Sequence, residues 1–184
     1  MLWLIRHGET AWSLSGAHTG RSDIPLTAAG EEKAKAIAGK LAGRHFALVL
    51  SSPMQRARST CEIAGFGAQA QIEPDLLEWD YGSYEGRTTA EIRRDRPDWE
   101  LFRDGVPGGE TIEQVAVRAQ RVIARGLKAE GDVALFAHGH ILRILTACWL
   151  ALPPNDAKLF MLETAGVSTL GYEHEYRVIT RWNL

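Results

Sequence analysis

Two stretches decide the fold: Leu2-Trp3-Leu4-Ile5-Arg6-His7-Gly8 at the start of the chain and Val133-Ala134-Leu135-Phe136-Ala137-His138-Gly139-His140 toward its end. Each begins as a short, continuous apolar run, the mark of a strand buried on both faces of a parallel sheet. Each delivers a histidine followed at once by glycine. Ligands of open α/β sheets bind just beyond the carboxyl ends of the strands, so two strands can bring His7 and His138 to one pocket. Arg6 beside the first histidine points to an anion in that pocket.

Outward from these runs, strands alternate with helices. Residues 46–50 form a third continuous apolar run, and residues 71–73 read as a short strand. Helical spacing of apolar residues predicts helices over 27–43, 88–94, 111–129 and 138–152, the last stopped by Pro153-Pro154. Thr88 with Glu91 and Thr111 with Gln114 are spaced as capping boxes. Ser52-Pro53 predicts another helix, with Ser52 as N-cap and Pro53 in its first turn. Residues 167–172 and 176–181 read as a closing hairpin. The alternation implies a three-layer α/β/α fold on a mostly parallel central sheet, in one domain over residues 1–184. Residues 10–26 and 74–87 lack clean periodicity and read as loops, where sites on a rigid sheet are usually carried.

Composition narrows the function classes. The 184 residues carry a formal net charge of -2, so no general basic surface attracts nucleic acid or an anionic membrane. Affinity for phosphate must come from individually placed arginines. No apolar stretch approaches the ~18 residues of a membrane span. The first apolar run is short, has no basic segment before it and ends at Arg6, which argues against a secretory leader. A cytoplasmic protein is therefore expected, whose partner is a small phosphorylated metabolite. Cys61 and Cys148 have no metal spacing and are expected to be buried thiols. No Asp/His cluster has metal-ligand spacing either, so neither a metal nor another cofactor is expected.

Four segments carry chemistry. In Arg6-His7-Gly8-Glu9-Thr10, a histidine with one free nitrogen can attack phosphorus and hold the phosphoryl group. Gly8 is expected to let backbone approach the phosphate. In Ser51-Ser52-Pro53-Met54-Gln55-Arg56, a guanidinium in the first turn of a helix can bind phosphate through two parallel hydrogen bonds. In Leu77-Glu78-Trp79-Asp80-Tyr81-Gly82, two carboxyls stand among aromatics. Desolvation there would raise a pKa and keep a proton for a leaving oxygen, and both Glu78 and Asp80 are candidates. In the fourth segment His138 can stabilise phosphoryl oxygens and Gly139 exposes its N–H. His140 and Arg143 share a helix face that could extend the pocket, and Arg21 is a second source for such an extension. Trp12 and Trp79 are expected as pocket walls.

Order and spacing together resemble the histidine phosphatase superfamily, the phosphoglycerate mutase-like proteins, in its compact branch. The resemblance runs from Leu4 to about Ser168. It implies that His7 is the phosphorylated histidine, that Arg56 is the second-motif arginine, that Glu78 is the acid and that His138 is the second histidine. It further implies phosphate contacts from Ser13 and Thr19 and an aromatic pocket wall at Tyr81. Trp12 to Gly16, Glu78 to Gly86, Phe102 to Gly105 and Phe136 to Arg143 are most similar to sedoheptulose-1,7-bisphosphatases. His18 stands where that group has tyrosine.

The expected activity is metal-independent hydrolysis of a small phosphate monoester, with sugar phosphates and bisphosphates as the candidate substrates. Arg6, Arg56, His138 and the Gly139 N–H would hold the phosphoryl oxygens while His7 attacks and Glu78 protonates the leaving alcohol. Activity is expected to fall on both sides of an intermediate pH. The alternatives are a phosphoglycerate mutase, with Arg93, Arg94 and Arg96 as carboxylate ligands, and a non-catalytic phosphate-binding module.

Overall fold

A computed structural model describes all residues, 1–184. The chain runs β1 (Leu2–Arg6), α1 (Ala11–Ser15), α2 (Ala28–Lys40), β2 (Leu48–Ser51), α3 (Gln55–Ile63), β3 (Ala70–Ile72), α4 (Thr89–Asp95), α5 (Leu101–Asp104), α6 (Ile112–Gly126), β4 (Val133–Ala137), α7 (Gly139–Trp149), β5 (Val167–Glu173) and β6 (Tyr176–Arg181). Short 3₁₀ turns at Pro74–Leu76, Gly82–Tyr84 and Pro154–Leu159 link several of these elements. No helix is long and apolar enough to cross a membrane.

All six strands form one sheet in the order β3-β2-β4-β1-β5-β6. The β1–β4, β2–β4 and β2–β3 pairs are parallel, and the closing hairpin adds β5 and β6 antiparallel. Side chains alternate across the sheet with the two-residue period of a strand. Leu2, Leu4, Val133, Leu135 and Ala137 enter one apolar cluster with residues of α6 and α7. Trp3, Ile5, Ala134 and Phe136 enter the other with Ile37 of α2 and Cys61 of α3. Helices thus cover both faces of the sheet, which is why its central strands read as unbroken apolar runs.

The register is what builds the site. Arg6 pairs with Ala137, so β1 and β4 end side by side and the next residue of each is a histidine. The His7 N–H donates to the Ala137 carbonyl at 2.9 Å, which extends the pairing by one step.

Several local readings need correction. α3 begins at Gln55, and Ser52 does not cap it. The Ser52 hydroxyl instead meets His138 Nε2 at 2.7 Å. Asp23 Oδ1 accepts the Gln55 N–H at 2.8 Å in its place. Residues 10–26 are not all loop. Thr10 and Ser13 form a capping box that starts α1, and Gly16 ends it in the left-handed region. α2 independently requires a small residue at position 8. A Cβ on Gly8 would lie 2.4 Å from the Gly30 carbonyl oxygen. Cys61 is buried as expected, whereas Cys148 is half-buried.

Candidate active site

Beyond the ends of β1 and β4 lies a cleft of about 280 Å³. Of the anticipated residues, Arg6, His7, Ser13, Thr19, Glu78, Tyr81, Gly139, His140 and Arg143 line it. His18 and Thr89 also line it and were not anticipated. Arg56 and His138 are fully buried behind the lining. Trp79 is buried in the core with its indole N–H on the Glu110 carbonyl, and neither it nor Trp12 is a wall of the cleft. Arg21 pairs with Asp80 and Glu110 instead of facing the cleft. Arg93 and Arg96 donate to the Trp99 carbonyl and the Tyr84 hydroxyl, and Arg94 is likewise outside the lining.

His7 is held as a nucleophile must be. Its Nδ1 lies 2.7 Å from the Gly8 carbonyl oxygen. A carbonyl can only accept, so Nδ1 carries the proton and Nε2 keeps its lone pair. Burial lowers the imidazole pKa to about 3, assisted by the positive charges of Arg6 and Arg56. The ring is therefore neutral throughout the physiological range. It meets the His138 ring edge to face, with centroids 5.2 Å apart.

The two arginines differ in availability. Arg6 donates from Nη1 to the Leu162 carbonyl at 2.5 Å, while its buried Nε has no partner at all. A buried, unpaired guanidinium donor is costly unless an anion meets it. Arg56 donates from Nε to His138 Nδ1 at 3.1 Å, so His138 presents its remaining proton, on Nε2, to Ser52. The other Arg56 nitrogens reach the carbonyls of Ser22 at 2.8 Å, Thr19 at 3.2 Å and Gly20 at 3.1 Å. Burial, chiefly, holds the His138 pKa well below the ordinary histidine value, and the charge of Arg56 lowers it further.

Glu78 is separated from Asp80 by its surroundings. Its Oε2 accepts the His140 N–H at 2.9 Å, and its Oε1 accepts the Ile141 N–H at 2.8 Å and the Trp79 N–H at 3.0 Å. The carboxylate thus caps the N-terminus of α7, where negative charge is favoured. Burial pushes its pKa up, but the His140 ring, the field of His138 and the His140 N–H outweigh it. The net pKa lies well below the ordinary value, which corrects the expected upward shift. Asp80 is a half-exposed turn residue that accepts the Gly82 N–H at 3.0 Å and pairs with Arg21. The loop carrying Glu78 is fastened by Arg118, which donates to the carbonyls of Asp75 and Leu77 at 2.8 Å each and to both Glu110 oxygens.

The rest of the cleft is imidazole, hydroxyl and one more arginine. Tyr81 Oη lies 2.6 Å from His140 Nδ1. The His18 ring packs 4.8 Å from Tyr81 and 5.6 Å from Trp99, and its pKa is lowered to about 4, chiefly by burial. Arg143 donates from Nε to the Ala157 carbonyl at 3.1 Å and from Nη2 to the Lys158 carbonyl at 3.2 Å, over the face of Phe102. The hydroxyl protons of Ser13 and Thr19 go to the carbonyls of Thr10 and Ala17. These two residues accordingly offer the cleft acceptor oxygens rather than free donors.

Known proteins similar to this chain identify its family. A family model described as histidine phosphatase superfamily (branch 1) matches residues 2–184. The chain is 40% identical over 181 residues to an acid phosphatase of Mycobacterium tuberculosis, covering 96% of this chain and 88% of the relative. It is 35% identical over 182 residues to the sedoheptulose 1,7-bisphosphatase of Saccharomyces cerevisiae, covering 81% of this chain and 67% of that enzyme. The solved structure of a Mycobacterium tuberculosis open reading frame product superimposes with a TM-score of 0.94 at 39% identity, covering 100% of this chain and 96% of the other.

Proposed function

This chain belongs to branch 1 of the histidine phosphatase superfamily and is a phosphoric monoester hydrolase, and from that premise we propose that it hydrolyses a small phosphate monoester through a phosphohistidine on His7. The observation that carries this reading is the state of His7. It is neutral, holds its proton on Nδ1 and keeps its Nε2 lone pair in a site that contains Arg6 and Arg56.

The reaction balances with these groups. The His7 Nε2 lone pair forms the P–N bond as the ester P–O bond breaks. The leaving oxygen takes a proton from Glu78. The imidazole becomes cationic as it is phosphorylated, and the Gly8 carbonyl already accepts its Nδ1–H. Glu78, then ionised, draws a proton from water as the water oxygen attacks phosphorus. The P–N bond breaks, His7 returns neutral, and inorganic phosphate leaves with the proton that Glu78 took from water, which restores the carboxylate. The charge on the transferring group is met by Arg6 and the Gly139 N–H at the cleft and by the field of Arg56 buried behind it, so these groups supply the stabilisation a metal ion would otherwise give.

Glu78 enters this cycle ionised, so one proton must arrive with the ester. A phosphate monoester has its second pKa at about 6 and carries that proton into a mildly acidic site. Arg143 favours a substrate with a second anionic group. It lies one turn of α7 beyond Gly139, is anchored by two backbone carbonyls and forms no salt bridge with any carboxylate. Sugar bisphosphates and phosphorylated acids have that character.

The test is label transfer from a phosphate monoester in EDTA, wild type beside His7→Ala. The expected result is an alkali-stable, acid-labile phosphoprotein in the wild type and loss of both label and turnover in the variant. A variant that keeps most of its turnover would overturn the reading. Interconversion of phosphoglycerates faster than hydrolysis would replace it with a mutase.

A further inference from the structure

The segment Thr19 to Ser22 is gripped from both sides. Arg56 takes the carbonyls of Thr19, Gly20 and Ser22. On the other side Glu85 takes the amides. Its Oε1 accepts the Gly20 N–H at 2.9 Å and the Ser22 N–H at 2.9 Å, and its Oε2 lies 3.0 Å from the same Gly20 nitrogen. Gly20 and Ser22 therefore each donate to the carboxylate and accept from the guanidinium. Neither charged group touches the other, and neither makes a salt bridge elsewhere.

We propose that Glu85 is the positioning residue for Arg56, acting chiefly through the Thr19–Gly20 peptide group, whose N–H it holds while Arg56 holds the C=O, to fix where that guanidinium stands behind the phosphate site. The proposal rests on the phosphatase reading only in assigning the anion to phosphate. The Thr19–Gly20 peptide dipole lies between the opposite charges, and Glu85 also pins the Ser22 N–H, so removing the anion weakens the Thr19 carbonyl bond to the cation and loosens the segment that carries the other two. Arg56 would then lose its fixed place beside His138, the contact made by its Nε.

Position 20 shows how close the grip is. A Cβ there would lie 2.4 Å from the Trp79 carbonyl oxygen, 2.9 Å from Glu85 Oε2 and 3.1 Å from the Tyr81 ring. Only glycine lets the segment sit this deep. The same strip fastens two neighbouring loops, since the Gly86 N–H donates to the His18 carbonyl at 2.8 Å and the His18 N–H to the Arg87 carbonyl at 2.9 Å. Glu85 itself does not line the cleft and touches none of the groups assigned to the chemistry.

The experiment is a double-mutant cycle on the affinity for inorganic phosphate, measured by calorimetry with the whole chain, so that no turnover is needed. Glu85→Gln is expected to weaken phosphate binding about tenfold or more in the wild type and less than twofold in an Arg56→Ala background. Glu85→Asp, which keeps the charge on a shorter arm, is expected to fall between wild type and Glu85→Gln. Should Glu85→Gln not fold, the same cycle is run with Glu85→Asp. Equal weakening in both backgrounds, or unchanged phosphate affinity in Glu85→Gln, would overturn the proposal. Phosphate binding that is intact in the wild type while His7→Ala still turns over would instead overturn the phosphohistidine reading and leave the clamp standing.

Discussion

His7 and His138 face each other across 5.2 Å, yet they are fixed in opposite senses. His7 donates from Nδ1 to its neighbour's carbonyl and keeps Nε2 free. His138 accepts at Nδ1 from Arg56 and gives up its proton toward Ser52. Adjacent strands thus supply one open lone pair and one saturated ring. Of the two, only His7 is prepared to attack.

This asymmetry sets the pH dependence of activity. With the His7 pKa lowered to about 3, the nucleophile stays neutral far into acid. Glu78, also held low, needs one incoming proton. Measured against total ester, kcat/KM should be level through mildly acidic pH and fall about tenfold per unit above roughly pH 6, where the ester loses its proton. The expected fall on both sides of an intermediate pH is thereby replaced by a fall on the alkaline side alone over this range. A break in kcat/KM near pH 6.5 on the acid side would show that His7 titrates as an exposed imidazole.

The proposed role of Glu78 separates leaving groups. Glu78→Gln removes the proton donor and exchanges one acceptor oxygen of the α7 cap for an amide NH2. Alkyl phosphates, whose alkoxides leave poorly, should lose at least 100-fold in kcat, within the usual range for general acid catalysis of about 10²–10⁴. A nitrophenyl phosphate, whose phenolate leaves unaided, should lose less than about tenfold. Equal losses for both esters would mean that Glu78 acts only as the helix cap.

The fold was legible where burial alone dictates sequence. Residues of β1 and β4 are apolar without interruption because helices cover both faces, and their histidines follow at once. What failed was whatever depends on distant partners. Ser52-Pro53 carries the local signature of a helix start, but His138 takes the Ser52 hydroxyl and Asp23 does the capping. The Glu78 pKa was read from its aromatic neighbours, which account for desolvation alone. The His140 ring, the His138 field and the His140 N–H that together outweigh desolvation come from the end of β4 and the start of α7, far along the chain. Thr10-x-x-Ser13 starts α1 with serine in the place where a capping box usually has glutamate, so its local signature is weak. His18 reaches the cleft through long-range pairing, Ala17 with Thr88 and the His18 backbone with Gly86 and Arg87, which its local sequence does not show.

Stability should fall in acid for the same reasons that keep the site neutral. His7, His18, His138 and His140 all have folded pKa values below their ordinary 6.5. Below pH 6.5 the unfolded chain therefore binds protons that the folded chain refuses, and stability declines as pH drops toward the folded values. At one unit below, each fully buried imidazole withdraws roughly 1.4 kcal/mol. Glu78 adds to the loss below its ordinary 4.5. Urea unfolding at pH 7.5 and 5.5 should show the decline, and His18→Gln should make it shallower. Equal stability at the two pH values would mean that these rings are protonated in the native state.

Arg143 is where substrate choice can be tested without touching the attack on phosphorus. Two of its donors are spent on the Ala157 and Lys158 carbonyls and its face on Phe102, so its position is fixed before any ligand arrives. Its Nη1 makes no hydrogen bond within the chain, and the residue lines the cleft. A hydrogen bond from such a group to a second phosphate or a carboxylate contributes about 1.5–3 kcal/mol. Arg143→Met should therefore lower kcat/KM for a sugar bisphosphate by roughly 10- to 100-fold, with most of the change in KM. An aryl phosphate, which has no second anion, should change less than about threefold. A parallel loss for both esters would place Arg143 at the transferred phosphate instead and remove the case for a doubly anionic substrate.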